Sequence, residues 1–538
     1  MELLSNGALE KTYGKTVKGY NLINGEERPA RSGRTIQSRN PANLDDLVGI
    51  FPESDLDDLR EAARAAKAAY QKWSATPAPI RGEVIGRLGI LIEREKETLA
   101  RLMTREMGKT LKESLGSVQE GIDTARFFQS EGRRLYGETV PSEMRNKELF
   151  TYRRPLGVCA MITAGNFPFA VPCWKIIPAI LCGNTVIWKP SKDTPTIAYL
   201  LGKLLMEAGV PKGVVNIVHG GGATTGEKLL QLVDEGWIQK VSFTGSTPVG
   251  RKIGEICGRN LQVPSLELGG KNPMIVMESA NFEAALEGAL WAAYGTAGQR
   301  CTSLGCLILH KPIAKTFTEA LLERIQHIKI GDPSLHPDVL YGPMINERFL
   351  NDYLAHLDWG KRDGATLAYG SGRITEQNKP ATFAGNATKG LYAWPTLWTN
   401  VQTHMRLAQD EIFGPVTGII EVQNFDEAME AANGNPYGLS SAIYTNNPLE
   451  MIRFKNEIQS GMASINNSTT GAEAHLPFGG NKFSGNGTRE SGIWVIDAYT
   501  KWQAVNMDVS GKLQLAQMDT EYIRGGTGKE DFRAIFSS

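Results

Sequence analysis

From Ser54 the stretch SDLDDLREAARAAKAAYQKW repeats apolar residues every three or four positions, the spacing of a helix with one buried face. Ser54 and Asp57 stand ahead of it in capping-box spacing, and Pro77 and Pro79 end it. A second helical run, RGEVIGRLGILIEREKETLARLMTREMGK, follows, and a third extends through Phe128. The predicted helical entry is about 80 residues long. From Leu149 the period shortens. FTYRRPLGVCAMIT reads as a strand interrupted by Pro155 and Gly157, and AILCGNTVIWKPS as a buried strand leading into a loop. A helix over Thr196 to Ala208, a strand in VVNIVHG, a helix near Thr225 to Val233 and a strand in VSFTGS follow. This alternation predicts βαβ units around a parallel sheet, with ligand sites beyond the strand ends.

After Gly269 the alternation repeats. PMIVM, CLILH and GPVTGIIEV are strand candidates, helices fall near Ile313–Ile328 and Asn346–Gly360, and PYGLSSAIYT and GMASINN add two more strands. The fold class is therefore α/β, with a second α/β domain behind the first. Residues up to about Pro41 read as short strands and turns. AVNMDV near the end reads as a strand before a polar tail. No repeat of solenoid period and no low-complexity tract occurs.

Composition narrows the function. Lys+Arg and Asp+Glu are 58 each, so the formal charge is zero and no electrostatic case exists for nucleic acid or an anionic membrane. No uninterrupted apolar run reaches the roughly 18 residues of a membrane span. MELLSNGALEKTYGK lacks the basic-then-apolar order of a signal peptide. Six cysteines are too sparse for a disulfide scaffold, none forms a CxxC pair, and seven histidines show no ligand spacing. A cytoplasmic, reduced, metal-free protein acting on a small molecule is the expectation.

Candidate chemistry concentrates in LELGGKNPMIVMESANFEAALEGALWAAYGTAGQRCTS. Glu267 precedes a Gly-Gly pair, Cys301 follows a run of short side chains, and Ser279 or Asn281 caps a helix between them. A thiol nucleophile and a base able to activate water make and break thioesters. Arg300 and nearby backbone N–H groups favour the Cys301 thiolate, although a lone cysteine is more often a small core residue. Phe243-Thr-Gly-Ser-Thr-Pro-Val-Gly250 is a strand end, a small-residue turn and a helix start, suited to pyrophosphate or to an ordinary βα turn. Lys189 ends another strand, facing ribose hydroxyls or solvent. Asn166, in TAGNFPF, is an oxyanion donor or a turn residue. EIFGPV holds Glu411 and Phe413 beside a rigid Gly-Pro turn, for a ligand or as a plain bend.

Taken together, GNFPFAVPCWKIIPAILCGNTVIWKPS, FTGSTPVGRKI, LELGGKNP, GTAGQRCTS, EIFGPV, NPYGLSSAIYTNN and PFGGNKFSGNG resemble the aldehyde dehydrogenase superfamily, in order, from about residue 20 to about residue 505. The resemblance implies a Rossmann-type cofactor domain (1–137 and 158–268) and an α/β catalytic domain (269–495). It adds a small oligomerisation flap (138–157 and 496–512), with the tail 513–538 beyond. It implies oxidation of an aldehyde to the acid with NAD or NADP. Cys301 attacks the carbonyl, Asn166 and the Cys301 N–H hold the oxyanion, and Glu267 activates water to hydrolyse the thioester.

By the same resemblance Lys189 binds the adenosine ribose, Gly245 and Ser246 lie under the pyrophosphate, and Glu411 holds the nicotinamide ribose with Phe413 nearby. Ser191, Gly222, Gly250 and Leu268 complete the implied cofactor set. Many NAD-preferring relatives carry a glutamate three residues after that lysine, and here Lys192 stands in its place, a cation suited to the 2′-phosphate of NADP. Glu267 favours the free acid over transfer to coenzyme A. Phe167, Trp174 and Phe478 imply an aromatic tunnel for apolar aldehydes. Gly471, Ala472 and Arg300 resemble the carboxylate site of aminoadipic semialdehyde dehydrogenases, so a semialdehyde is the alternative, with a non-redox thiol esterase behind it. A homodimer or homotetramer is implied. The apolar residues Tyr522, Ile523, Phe532 and Phe536 suggest that the tail docks on a neighbouring subunit.

Overall fold

The computed structural model describes residues 15–370, 372–518 and 536. The chain divides into two units, one of residues 1–134 with 155–499 and one of residues 135–154 with 500–538.

The larger unit holds two seven-stranded sheets. In the first, the spatial order is Ser265–Glu267, Lys240–Thr244, Val158–Ile162, Thr185–Lys189, Val215–Ile217, Asn21–Ile23 and Glu26–Arg28. The first five pair in parallel and the last two antiparallel. The chain runs outward from Val158–Ile162, then returns to its other side for Lys240–Thr244 and Ser265–Glu267. That reversal creates a switch point, and ligands of doubly wound sheets lie beyond the carboxyl ends of the strands there. The central strands VCAMI and TVIWK are buried throughout, as strands covered on both faces must be.

The second sheet runs Thr366–Tyr369, Thr396–Thr399, Val416–Val422, Leu304–His310, Asn272–Val276, Ser440–Tyr444 and Met462–Ile465. All its pairs are parallel except the edge pair of Thr366–Tyr369 with Thr396–Thr399. The segment 268–271 leads directly from the carboxyl end of Ser265–Glu267 into the amino end of Asn272–Val276. Cys301 lies just before Leu304–His310, and Glu411 before Val416–Val422. The carboxyl edge of one sheet therefore faces the amino edge of the other.

Local capping departs from expectation by one residue. Asp55, not Ser54, caps Leu56–Ala75, in a reciprocal box with Asp58. The Ser54 hydroxyl instead accepts from Asn21 Nδ2 (2.8 Å), a long-range bond that spacing does not reveal. Pro77 and Pro79 stop that helix but also open the next, where a missing N–H costs nothing. The long second run is two helices, Ala78–Arg94 and Lys96–Met107, broken at Glu95. Asn346–Gly360 likewise divides into Glu347–Leu354 and His356–Asp363.

The segment AIL of AILCGNTVIWKPS ends a helix, Ala170–Leu181, and the strand begins only at Thr185. Every residue of that helix is buried, so no polar face marks its period.

The smaller unit is a three-stranded sheet of Thr139–Val140, Lys147–Pro155 and Thr500–Asp508, with Lys147–Pro155 central. Within it the Arg153 guanidinium lies 4.1 Å from the Trp502 ring centre. Of the tail residues singled out above, Tyr522, Ile523 and Phe532 lie outside the described residues, and Phe536 is exposed. No described helix is long and apolar enough to cross a membrane.

Candidate active site

One cavity of about 1340 Å³ is lined by residues at the facing edges of the two large sheets. Cys301, Glu267 and Asn166 all reach it.

The cysteine arrives on a strained turn. Asn281 caps Phe282–Tyr294 by accepting from the Ala284 N–H (3.2 Å). Beyond that helix Thr296, Ala297 and Gly298 all take positive φ (53°, 53° and 65°). Such backbone in a non-glycine residue costs about 1–3 kcal/mol and persists only where surroundings enforce it. The turn packs directly on neighbouring backbone: a side chain at position 298 would lie 1.9 Å from the Gly414 carbonyl oxygen. Downstream, Asn272 Nδ2 donates to the Cys301 and Ser303 carbonyls (2.8 Å each), while Asn272 Oδ1 accepts from the Ser440 N–H (3.0 Å). Thr469 Oγ1 donates to the Thr302 carbonyl (2.8 Å).

Burial pushes the Cys301 thiol up to about 12, and the Glu267 and Glu411 carboxylates add to that rise. The N–H groups of Cys301 and Thr302 pull the other way. The thiol therefore carries its proton at neutral pH and needs a base. Arg300 does not supply the stabilising charge expected of it. Its guanidinium lies over Trp291 (4.6 Å) and donates to Glu113 (2.5 Å) and Thr296 Oγ1 (2.8 Å).

Asn166 leaves the end of Val158–Ile162 and donates from Nδ2 to the Gln299 carbonyl (3.0 Å). Gln299 is itself fixed: Nε2 donates to Thr296 O (3.2 Å) and Pro343 O (3.3 Å), and Oε1 accepts from the Ile345 N–H (2.9 Å). The glutamine was not singled out in the sequence, and its pairing with Pro343 spans a loop that spacing cannot see.

Glu267 ends its strand at 3% exposure beneath the turn of PFGG. A side chain on Gly479 would come within 2.8 Å of its Oε1 and of the Thr488 carbonyl oxygen, a backbone atom that cannot yield as a side chain can. Burial first, then Glu490, raises its pKa well above the carboxylate range, opposed by Lys175, Arg489 and the Gly480 N–H. Lys175 and Glu490 form a fully buried ion pair, and Lys175 Nζ also donates to Ser242 Oγ (3.0 Å). Sequence reasoning missed this pair. Its only signal was a lysine inside the apolar run FAVPCWKIIPAIL.

The nucleotide end is built from strand ends and one helix start. Lys189 is buried, donates to Pro190 O (2.7 Å) and Gly220 O (3.2 Å), and is pushed down to about 8 by burial. Ser191, exposed Lys192 and Gly222 line the cavity beside it. Ser246 stands at the N-cap of Thr247–Arg259 without a side-chain capping bond, and Gly245 donates its N–H to Glu267 O (3.0 Å). Leu268 is on the wall, whereas Gly250 packs behind it: a side chain there would meet Leu268 at 2.5 Å. Glu411 Oε1 accepts from the Gly270 N–H (3.1 Å), and burial pushes its carboxyl up to about 7. Phe413 packs against Phe349 with ring centres 5.2 Å apart and the planes tilted by 40°. An open helix start, a buried lysine and two glycine turns fit a dinucleotide.

At the substrate end Trp174 and Phe478 pack at 4.9 Å, with Phe167, Cys301 and Ala472 against the same cluster. The buried Lys109 amine lies 3.6 Å from the Phe167 ring centre. Glu120 lines the wall, raised to about 7 by burial. Gly471 has φ 128° and open space where a side chain would be. Among the described residues, no group of three His, Cys, Asp or Glu side chains could hold a metal.

A doubly wound sheet with a nucleotide-suited switch point, joined to a second parallel sheet bearing a cysteine loop, defines a two-sheet α/β enzyme. The sequence profile of the aldehyde dehydrogenase family matches residues 28–505. The chain is 37% identical over 485 residues to the alpha-ketoglutaric semialdehyde dehydrogenase of Bacillus subtilis, covering 90% of this chain and 97% of that one. It is 35% identical to retinaldehyde dehydrogenase 3 of Homo sapiens over 496 residues, 91% of this chain and 93% of the relative. Among solved structures, the betaine aldehyde dehydrogenase of Staphylococcus aureus in complex with NAD+ superposes with a TM-score of 0.88 at 30% identity, covering 95% of this chain and 99% of that one. The chain belongs to the aldehyde dehydrogenase family. It is an NAD(P)-dependent oxidoreductase that converts an aldehyde to the carboxylic acid.

Proposed function

We propose that Cys301 is the nucleophile, Glu267 the base and Asn166 an oxyanion donor. The observation that carries this reading is that the three side chains, brought from different strand ends and 34 to 135 positions apart in sequence, line one cavity. Cys301 Sγ attacks the aldehyde carbon, and its proton passes to a base, with Glu267 the carboxylate at hand. The alkoxide is held by Asn166 Nδ2 and the Cys301 N–H. Glu411 and Phe413 would hold a nicotinamide at their end of the cavity, and it would supply the hydride acceptor that turns the Cys301 adduct into a thioester. Glu267 releases that first proton to solvent and then takes one from water, whose oxygen attacks the thioester; the acid leaves and Glu267 returns the proton to the Cys301 thiolate. Asn166→Ala and Glu267→Gln, assayed for loss of turnover with the fold intact, test these roles.

Lys189, Ser191, Gly222, Gly245, Ser246, Leu268 and Glu411 hold the cofactor in this reading, and Lys192 favours NADP through its exposed cation. The substrate is an aldehyde with an apolar chain, received by Phe167, Trp174 and Phe478. A carboxylate-bearing semialdehyde is the second reading, favoured by the open backbone at Gly471–Ala472 and by the name of the Bacillus subtilis relative. Rates with an aromatic, an aliphatic and a carboxylated aldehyde separate the two. A cofactor domain of 1–137 with 158–268, a catalytic domain of 269–495 and an intersubunit flap of 138–157 with 496–512 complete the proposal. So do a cytoplasmic location and a homodimer or homotetramer.

A further inference from the structure

Glu113 sits outside the reacting groups, yet its two carboxylate oxygens serve two different structures. Oε2 accepts from the Thr110 N–H (3.2 Å) and Thr110 Oγ1 (3.0 Å), closing the capping box of Leu111–Glu131. Oε1 accepts from Thr296 Oγ1 (2.5 Å) and Arg300 Nη2 (2.5 Å), both on the turn that delivers Cys301. Arg300 Nε donates back to Thr296 Oγ1 (2.8 Å), which closes a three-membered network. The side chains of Glu113 and Arg300 are 4% and 11% exposed, so water competes little for these bonds. Burial pushes the Glu113 carboxyl up, but Arg300, Lys109 and Thr296 outweigh it and keep the pKa below the ordinary value.

We propose that Glu113 is a positioning residue for the reaction, holding the left-handed turn Thr296–Gly298 so that both oxyanion donors keep their places. The inference rests on the roles of Cys301 and Asn166 proposed above. The turn needs an external hold, because two of its residues pay for positive φ without being glycine. Both donors hang on it. The Cys301 N–H follows it directly, and Asn166 Nδ2 is tied to Gln299 O, one residue beyond Gly298. Arg300, on the cavity wall, is accordingly the cation that pairs with Glu113 and completes the hold on the turn.

The test is Glu113→Gln, assayed per folded molecule for kcat and for KM of aldehyde and cofactor, beside Cys301→Ala. Loss of the hold is expected to lower kcat by about 10- to 100-fold, less than or equal to deletion of one oxyanion donor. Both KM values should stay within about twofold, because ground-state contacts are untouched. A purely structural carboxylate would lower thermal stability and leave kcat alone. Glu113→Gln also strands a buried guanidinium and can fail to fold. The double variant Glu113→Gln/Arg300→Gln, with neither charge, then carries the test: it should regain thermal stability and stay slow. Wild-type kcat in either folded variant overturns the role. Turnover surviving in Cys301→Ala overturns the nucleophile assignment and this inference with it, whereas loss there with unchanged kcat in the Glu113 variants overturns only the Glu113 role.

Discussion

Asn166 Nδ2 donates to the Gln299 carbonyl at 3.0 Å, tying a loop of the first sheet to the turn that presents Cys301. An oxyanion donor held by a second rigid loop needs no reorganisation when charge develops on the substrate. Asn166→Ala should therefore lower kcat by about 10²–10³-fold with little change in cofactor KM. Asn166→Asp, which replaces the donor with an acceptor at neutral pH, should be at least as slow. Steady-state kinetics on the folded variants checks both.

The pH profile follows from Glu267. Its pKa is raised well above the carboxylate range by burial and by Glu490, so it accepts a proton only at correspondingly higher pH. Turnover should fall on the acid side at a pH above that of an ordinary glutamate, and the limb should disappear in Glu267→Gln along with most of the rate.

Lys175 pulls the Glu267 pKa down, against the push from Glu490. Lys175→Met removes that pull and leaves Glu490 buried without its ion-pair partner. The acid limb should then move to higher pH, and thermal stability should fall by about 3–5 kcal/mol. A double Lys175→Met/Glu490→Leu variant should recover part of that stability.

Cofactor choice turns on Lys192. Lys192→Glu places a like charge opposite a 2′-phosphate and should cut kcat/KM with NADP by at least about tenfold. The value with NAD should hold or rise. Initial rates with both cofactors decide it.

Glu411 gives the cofactor-free enzyme a stability signature. Its folded pKa is about 7 against an ordinary 4.5. Between those values the folded protein keeps a proton that the unfolded chain has released, so stability falls as pH rises through that window. Glu411→Gln should flatten the slope of Tm between those limits. It should not abolish it, because Glu120 is raised to about 7 as well.

The sequence was legible where a local pattern carries the information. Strand–helix alternation predicts the parallel strands of the first sheet and a second α/β domain, and Glu267 stands out by the Gly-Gly pair near it, Cys301 by the short side chains before it and Asn166 by its place after an apolar strand. Local pattern failed in two ways. Ala170–Leu181 is buried on every side and has no polar face to betray its period, so its end reads as a strand in the sequence. The Lys175–Glu490 pair and the Glu113–Arg300 pair join residues 315 and 187 positions apart, and nothing in either segment names its partner. Arg300 shows the consequence: beside Cys301 it reads as a cation for the thiolate or the substrate, and the fold pairs its guanidinium with Glu113 on the cavity wall, a partner the sequence does not name.

The most direct test of the account is the rate of NAD(P)H formation with an aldehyde substrate for wild type and Cys301→Ala at equal folded concentration. The account predicts cofactor reduction by wild type and none above background by the variant, with cofactor binding retained. Comparable reduction by Cys301→Ala would contradict it, because hydride transfer in this account follows attack by that sulfur.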